Sequence, residues 1–162
     1  MKHFFYSPIG VILPILALTS CSSVEDMALQ PSYISQLNDT GCLSNNDFLQ
    51  SRSDYNFGSF EMEFNGSTAK CKFTSLLYPC DFGRVNVNVI SGEGMLTIVE
   101  YPSSDKANCL CEVNASFLIE NIPQQDFILT IYHAGPNGVY NPDQPMYQGL
   151  VSLSQGKITI GY

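Results

Sequence analysis

Tryptophan is absent from the 162 residues, and histidine occurs only twice, at His3 and His133. Sugar recognition by this chain would therefore rest on tyrosine rather than on the largest flat stacking face. A histidine-rich metal centre has too few ligands. Basic residues are scarce, seven against fifteen acidic ones, for a net charge of −8 and a pI near 4.4. Such a surface repels phosphates, so a nucleic-acid partner is excluded. There is no Cys-x-x-Cys pair, no Gly-x-Ser-x-Gly elbow and no glycine-rich phosphate loop. Redox dithiol, hydrolase and nucleotide chemistry thus lack their usual frames. Internal repeats and low-complexity tracts are missing too, and 44% apolar with 14% charged residues suits one globular domain.

The N-terminus carries an address. Lys2 and His3 precede an apolar run from Ile9 to Leu18, too short for the roughly 20 residues that span a bilayer, so residues 1–20 are expected to be a cleaved secretory signal. Leu18, Thr19, Ser20 and Cys21 resemble the bacterial lipobox. That resemblance implies a lipoprotein acylated on Cys21 and attached to the membrane through its N-terminal lipid; each buried methylene contributes about 0.8 kcal/mol, so several chains make a lasting anchor. Ser22, Ser23, Val24, Glu25 and Asp26 are similar to the short acidic signal that sends some lipoproteins to the outer face of the outer membrane. The expected location is the outer membrane, at the cell surface.

Residues 21–57 show little periodicity and are expected to form an anchored spacer, partly packed on the domain, with a helix-compatible patch at Asn46 to Ser51. From residue 58 to 162 the chain reads as eight short strands separated by turn signals, the pattern of an all-β, single antiparallel β-sandwich. Phe60, Met62 and Phe64 alternate with Glu61 and Glu63, and Cys71 and Phe73 alternate with Lys70 and Lys72, which allows opposite charges to meet on one solvent face. Val85, Val87 and Val89 form the next apolar stripe, followed by Met95 to Tyr101. Val113, Ala115, Phe117 and Ile119, then Phe127, Leu129 and Ile131, are separated by Asn121 to Asp126 and are expected to pair as a central hairpin. Phe117 is the expected centre of the core.

Ser116, Phe117, Ile119, Asn121, Ile122, Pro123 and Phe127 resemble a strand-turn-strand motif of transthyretin-like and Ig-like sandwich modules, although the usual turn glycine is replaced by Gln124, Gln125 and Asp126. The resemblance spans about 25 residues and implies a fold, with no function attached.

Five cysteines remain after Cys21. An exported chain favours disulfides, and an odd number leaves one unpaired. Cys71 is in phase with a buried stripe and is expected to be that one. Cys109 and Cys111 lie two apart and share a strand face, so each should bond another segment, with Cys42 and Cys80 as the partners. The alternative, a metal site on Cys-Leu-Cys with Cys80, lacks ligands and spacing.

His133, at a strand end with no neighbouring acid evident in sequence, reads as structural, and no catalytic residue, metal or cofactor is assigned. The loop from Ala134 to Tyr147 exceeds ordinary hairpin connections, and its Asn137, Tyr140, Asn141, Asp143 and Tyr147 form a possible contact surface for a protein or glycan. The sequence therefore points to a binding or structural module without catalytic activity. A periplasm-facing accessory subunit of an envelope assembly is the second reading, and a hydrolase the third.

Overall fold

The computed structural model describes residues 30–46 and 58–162. The signal sequence, Cys21, the acidic run and residues 47–51 of the helix-compatible patch lie outside them. Among the described residues ten strands pack as two sheets: β1 (Tyr33–Asp39), β2 (Ser44–Asn46), β3 (Ser59–Asn65), β4 (Thr68–Pro79), β5 (Val85–Gly92), β6 (Met95–Pro102), β7 (Leu110–Glu120), β8 (Phe127–His133), β9 (Tyr147–Val151) and β10 (Lys157–Gly161). The first sheet has the order β1-β7-β4-β3-β10, with β2 also on β7; the second is β5-β6-β8-β9. This is an all-β sandwich. Its second sheet is mixed, because β6 and β8 run parallel.

Phe60, Phe73 and Phe117 of the first sheet face Leu96, Ile98, Leu129 and Ile131 of the second, all at most 2% exposed. Phe117 lies on β7, flanked by β1 and β4, with the Phe73 ring 5.9 Å away. The period-2 apolar stripe of β7 suits its interior place in the sheet, buried on one face along its whole length.

The expected central hairpin is not formed. β7 and β8 belong to different sheets, and β8 pairs in parallel with β6. Residues 121–126 instead bridge the roughly 10 Å between packed sheets. Asn121 turns with φ 57, Ile122 is buried at 2% and its amide donates to the Ser67 carbonyl at 3.0 Å. Two stripes that would share one face in a hairpin confront each other across the core, burying more apolar surface.

Tyr33–Asp39, within the expected spacer, is a strand of the first sheet, antiparallel to β7. A register shift between Ser35 and Asn38, with Gln36 at φ 53, brings both Ile34 and Leu37 against the core. β4 is likewise bulged: Ser75 has φ 59, its amide donates to Asn114 Oδ1 at 2.8 Å and its hydroxyl to Glu112 Oε1 at 2.6 Å. The extra residue resets the alternation, so that Leu76 and Tyr78 point inward after Cys71 and Phe73.

The first sheet presents its charges to solvent. Glu61 stands opposite Lys72 and Glu63 opposite Lys70, and Lys157 of β10 forms an ion pair with Glu61 at 3.1 Å. Disulfides join Cys42 to Cys111 and Cys80 to Cys109, with Cα–Cα distances of 5.3 and 5.5 Å. Cys71 is free and buried, and burial pushes its thiol pKa far up. It is an inert member of the core. Next to Cys80, Asp81 accepts hydrogen bonds from the Ser104 hydroxyl at 2.6 Å and the Ala107 amide at 2.9 Å, which hold its carboxyl below the usual range and fasten the β6–β7 connection.

Candidate functional site

The two sheets differ on their solvent sides. In the second sheet, alternation turns Val87, Ile98, Leu129 and Val151 inward and leaves the opposite residues facing out. Across the strands these form rows: Ile90, Thr97, Thr130 and Gln148 in one, Met95, Ile128 and Leu150 in another, and Asn88, Val99 and Tyr132 in a third. No charged side chain stands in these rows. Ile90, Met95 and Leu150 are 54%, 55% and 68% exposed. Solvated β-faces are normally polar, so an uncharged face with protruding aliphatics on a chain of net charge −8 is unusual.

One end of this face holds a second, small apolar cluster of Val99, Tyr132 and Ala134, with Tyr101 and Tyr140 packed on it. Tyr140 comes from the long loop. Its ring stacks on Tyr132 with centroids 4.3 Å apart, and the Tyr132 hydroxyl donates to the Pro142 carbonyl at 3.1 Å. Gly138 lies over the Tyr101 ring, where a Cβ would meet ring carbons at 3.5 Å. The loop is thus fastened to the sheet by aromatic contacts.

The loop's polar residues stay in solvent. Asn137, Asn141 and Asp143 are exposed, and Asn141 Oδ1 accepts from the Asp143 amide at 3.1 Å, a local turn bond. Tyr147 goes elsewhere. As the first residue of β9 it is in phase with inward-facing Val151, packs against the main core and has its hydroxyl over the Cα of Gly149. Tyr140 and Tyr147 therefore serve opposite faces of the second sheet.

Sequence reasoning missed an ion pair with one buried partner. His133 does have a neighbouring acid: its Nδ1 is 2.6 Å from Oε1 of Glu100, the residue beside it in the parallel β6–β8 ladder. The signal was present, because Glu100 is in phase with Leu96 and Ile98, and His133 with Leu129 and Ile131. Glu100 is wholly buried, and its Oε2 and the hydroxyls of Tyr78 and Tyr162 are buried without hydrogen-bond partners among the described residues. Tyr78 stacks on the His133 ring at 5.7 Å. Burial, and after it the Glu100 charge, raise the Tyr162 phenol. The Glu100 carboxyl is enclosed in the interior, whereas the His133 side chain is 34% exposed and links β8 to β6 beside the Tyr78 ring.

Among the described residues no three of His, Cys, Asp and Glu come together as metal ligands. No family model, curated protein or solved structure matches this chain.

Proposed function

We propose that the chain is a bacterial lipoprotein, anchored in the outer membrane through acyl chains on Cys21 and displayed at the cell surface, whose sandwich acts as a non-catalytic binding module. The observation that carries this reading is the uncharged outer face of the second sheet, where Tyr140 is fastened to Tyr132 beside exposed Ile90. Exposed apolar area of this kind marks contact surfaces, and rigid tyrosines supply contact area at low entropic cost. The lipobox-like run ending at Cys21 supports the anchor. Two disulfides suit an oxidising compartment.

Proteolysis of intact cells tests the display: the protein should be degraded while periplasmic markers survive. Protection until the outer membrane is broken would place it on the periplasmic side. In detergent phase separation the parent should partition with lipids and Cys21→Ala should not; equal partitioning would remove the anchor.

A further inference from the structure

Beside the Tyr132–Tyr140 stack a groove of about 510 Å³ opens along the edge of β5. Tyr33 of β1 stands on one side of it, Asn88 and Ile90 of β5 line it, and Val99, Gly138 and Tyr140 complete it toward the outer face. We propose that this groove binds an uncharged oligosaccharide. The inference rests on the reading of the module as a binding protein and deepens it by naming the ligand class.

Charge narrows the choice. None of the residues around the groove is ionisable except through a tyrosine hydroxyl, while the chain as a whole carries net charge −8. A charged ligand would lose hydration there and find no counter-charge, and an acidic one would also be repelled by the whole molecule. Neutral hydroxyls cost less to desolvate than a charge. Asn88 is exposed, and its amide nitrogen donates to the Tyr101 hydroxyl at 3.3 Å, which orients a neutral group suited to hydroxyl partners.

The rings favour a sugar. Tyr33 is 54% exposed, and Tyr140 is immobilised by its stack on Tyr132. Such rings offer flat apolar faces to the C–H side of a pyranose while their hydroxyls stay in water. The volume falls within the roughly 300–1,000 Å³ of small-ligand sites.

A peptide added as an extra strand fits less well. The β5 edge is clipped to the β1 segment at both ends, by the Ser32 amide on Ser91 Oγ at 2.9 Å and by the Val85 amide on Asp39 Oδ2 at 3.1 Å. Strand addition needs that edge free.

The test uses the full lipidated protein in a zwitterionic, sugar-free detergent, with maltoheptaose, mannopentaose and chitopentaose as neutral probes and oligogalacturonate as the acidic one. Saturation-transfer NMR and calorimetric titration should find a neutral oligomer that binds and no binding of the acidic one. Tyr33→Ala and Tyr140→Ala should each weaken it by about tenfold, and Tyr140→Phe should retain it. No binding by any neutral probe at millimolar concentration, equal binding of the acidic probe, or binding indifferent to both alanine variants would overturn the proposal. A photo-cross-linker at position 90 on intact cells separates the two levels. A protein adduct without sugar binding would leave the binding-module reading standing and this ligand class refuted; neither adduct nor sugar would end both.

Discussion

His133 Nδ1 lies 2.6 Å from Glu100 Oε1, a side-chain link added at the end of the parallel β6–β8 ladder, with the Tyr78 ring stacked on the imidazole. Burial raises the Glu100 carboxyl pKa above its ordinary value, more strongly than His133 lowers it. Burial alone would lower the His133 imidazole, but the hydrogen bond and charge of Glu100 outweigh it and raise it. The folded pair therefore retains one shared proton that the unfolded chain gives up as its imidazole titrates. Its contribution is complete below the ordinary imidazole value of 6.5 and declines as pH rises above it. Urea midpoints should fall from about pH 5 to about pH 8, and Glu100→Gln should flatten the slope. An equal slope in parent and variant would show that the pair does not set it. His133→Ala, which strands the buried carboxyl, should cost about 3 kcal/mol or more at neutral pH.

The bridges give a second measurement. Cys42–Cys111 spans 69 residues and Cys80–Cys109 spans 29, so chain entropy assigns about 4 kcal/mol to the first and about 3.5 kcal/mol to the second, less any strain. Non-reducing peptide mapping should recover these two pairs, with Cys71 alkylated only after unfolding. The double variant Cys42→Ala, Cys111→Ala should lose the larger share in urea melts. A peptide linking Cys71 to any other cysteine would contradict the fold.

Much of this could be read directly from alternation. β3, β5 and β7 keep an unbroken period of two, and the free, buried Cys71 follows from the same periodicity. β1 was hidden because Ile34 and Leu37 are three apart, an odd spacing that reaches one face only through the bulge at Gln36. The second half of β4 was hidden by the bulge at Ser75. The sheet change after β7 left no local trace, since a turn-rich Asn121–Asp126 segment looks alike whether it joins neighbours or crosses the core. The groove depends on Tyr33 and Tyr140, more than a hundred positions apart, meeting at β5. Nothing local encodes that meeting.

Core and loop aromatics should separate cleanly. Phe117 is 2% exposed and packs against Phe73, so Phe117→Ala should cost about 3 to 5 kcal/mol. Tyr140 is half-buried on Tyr132, and Tyr140→Ala should cost about 1 kcal/mol, the scale of an aromatic pair plus some burial. Equilibrium urea melts of both variants decide it. A Tyr140 loss equal to that of Phe117 would make the loop part of the main core.

Two glycines with similar backbones make a controlled test of the β4 bulge. Gly66 has φ 60 in the two-residue turn between β3 and β4, and a Cβ there would meet nothing within 4 Å. Gly66→Ala should therefore cost only the left-handed backbone penalty, about 1 to 2 kcal/mol. Gly58 has φ 72, and its added Cβ would collide with the Thr74 carbonyl oxygen and lie 2.8 Å from Ser75 Cβ. Backbone on one side and the bulge on the other leave no flexible side chain to yield, because Ser75 is held by Asn114 and Glu112. Gly58→Ala should thus exceed Gly66→Ala by about 1 to 3 kcal/mol, the range of overpacking in a filled site. Equal urea midpoints for the two variants would mean that the bulge shifts freely, and the inward placement of Leu76 and Tyr78 would then need another cause.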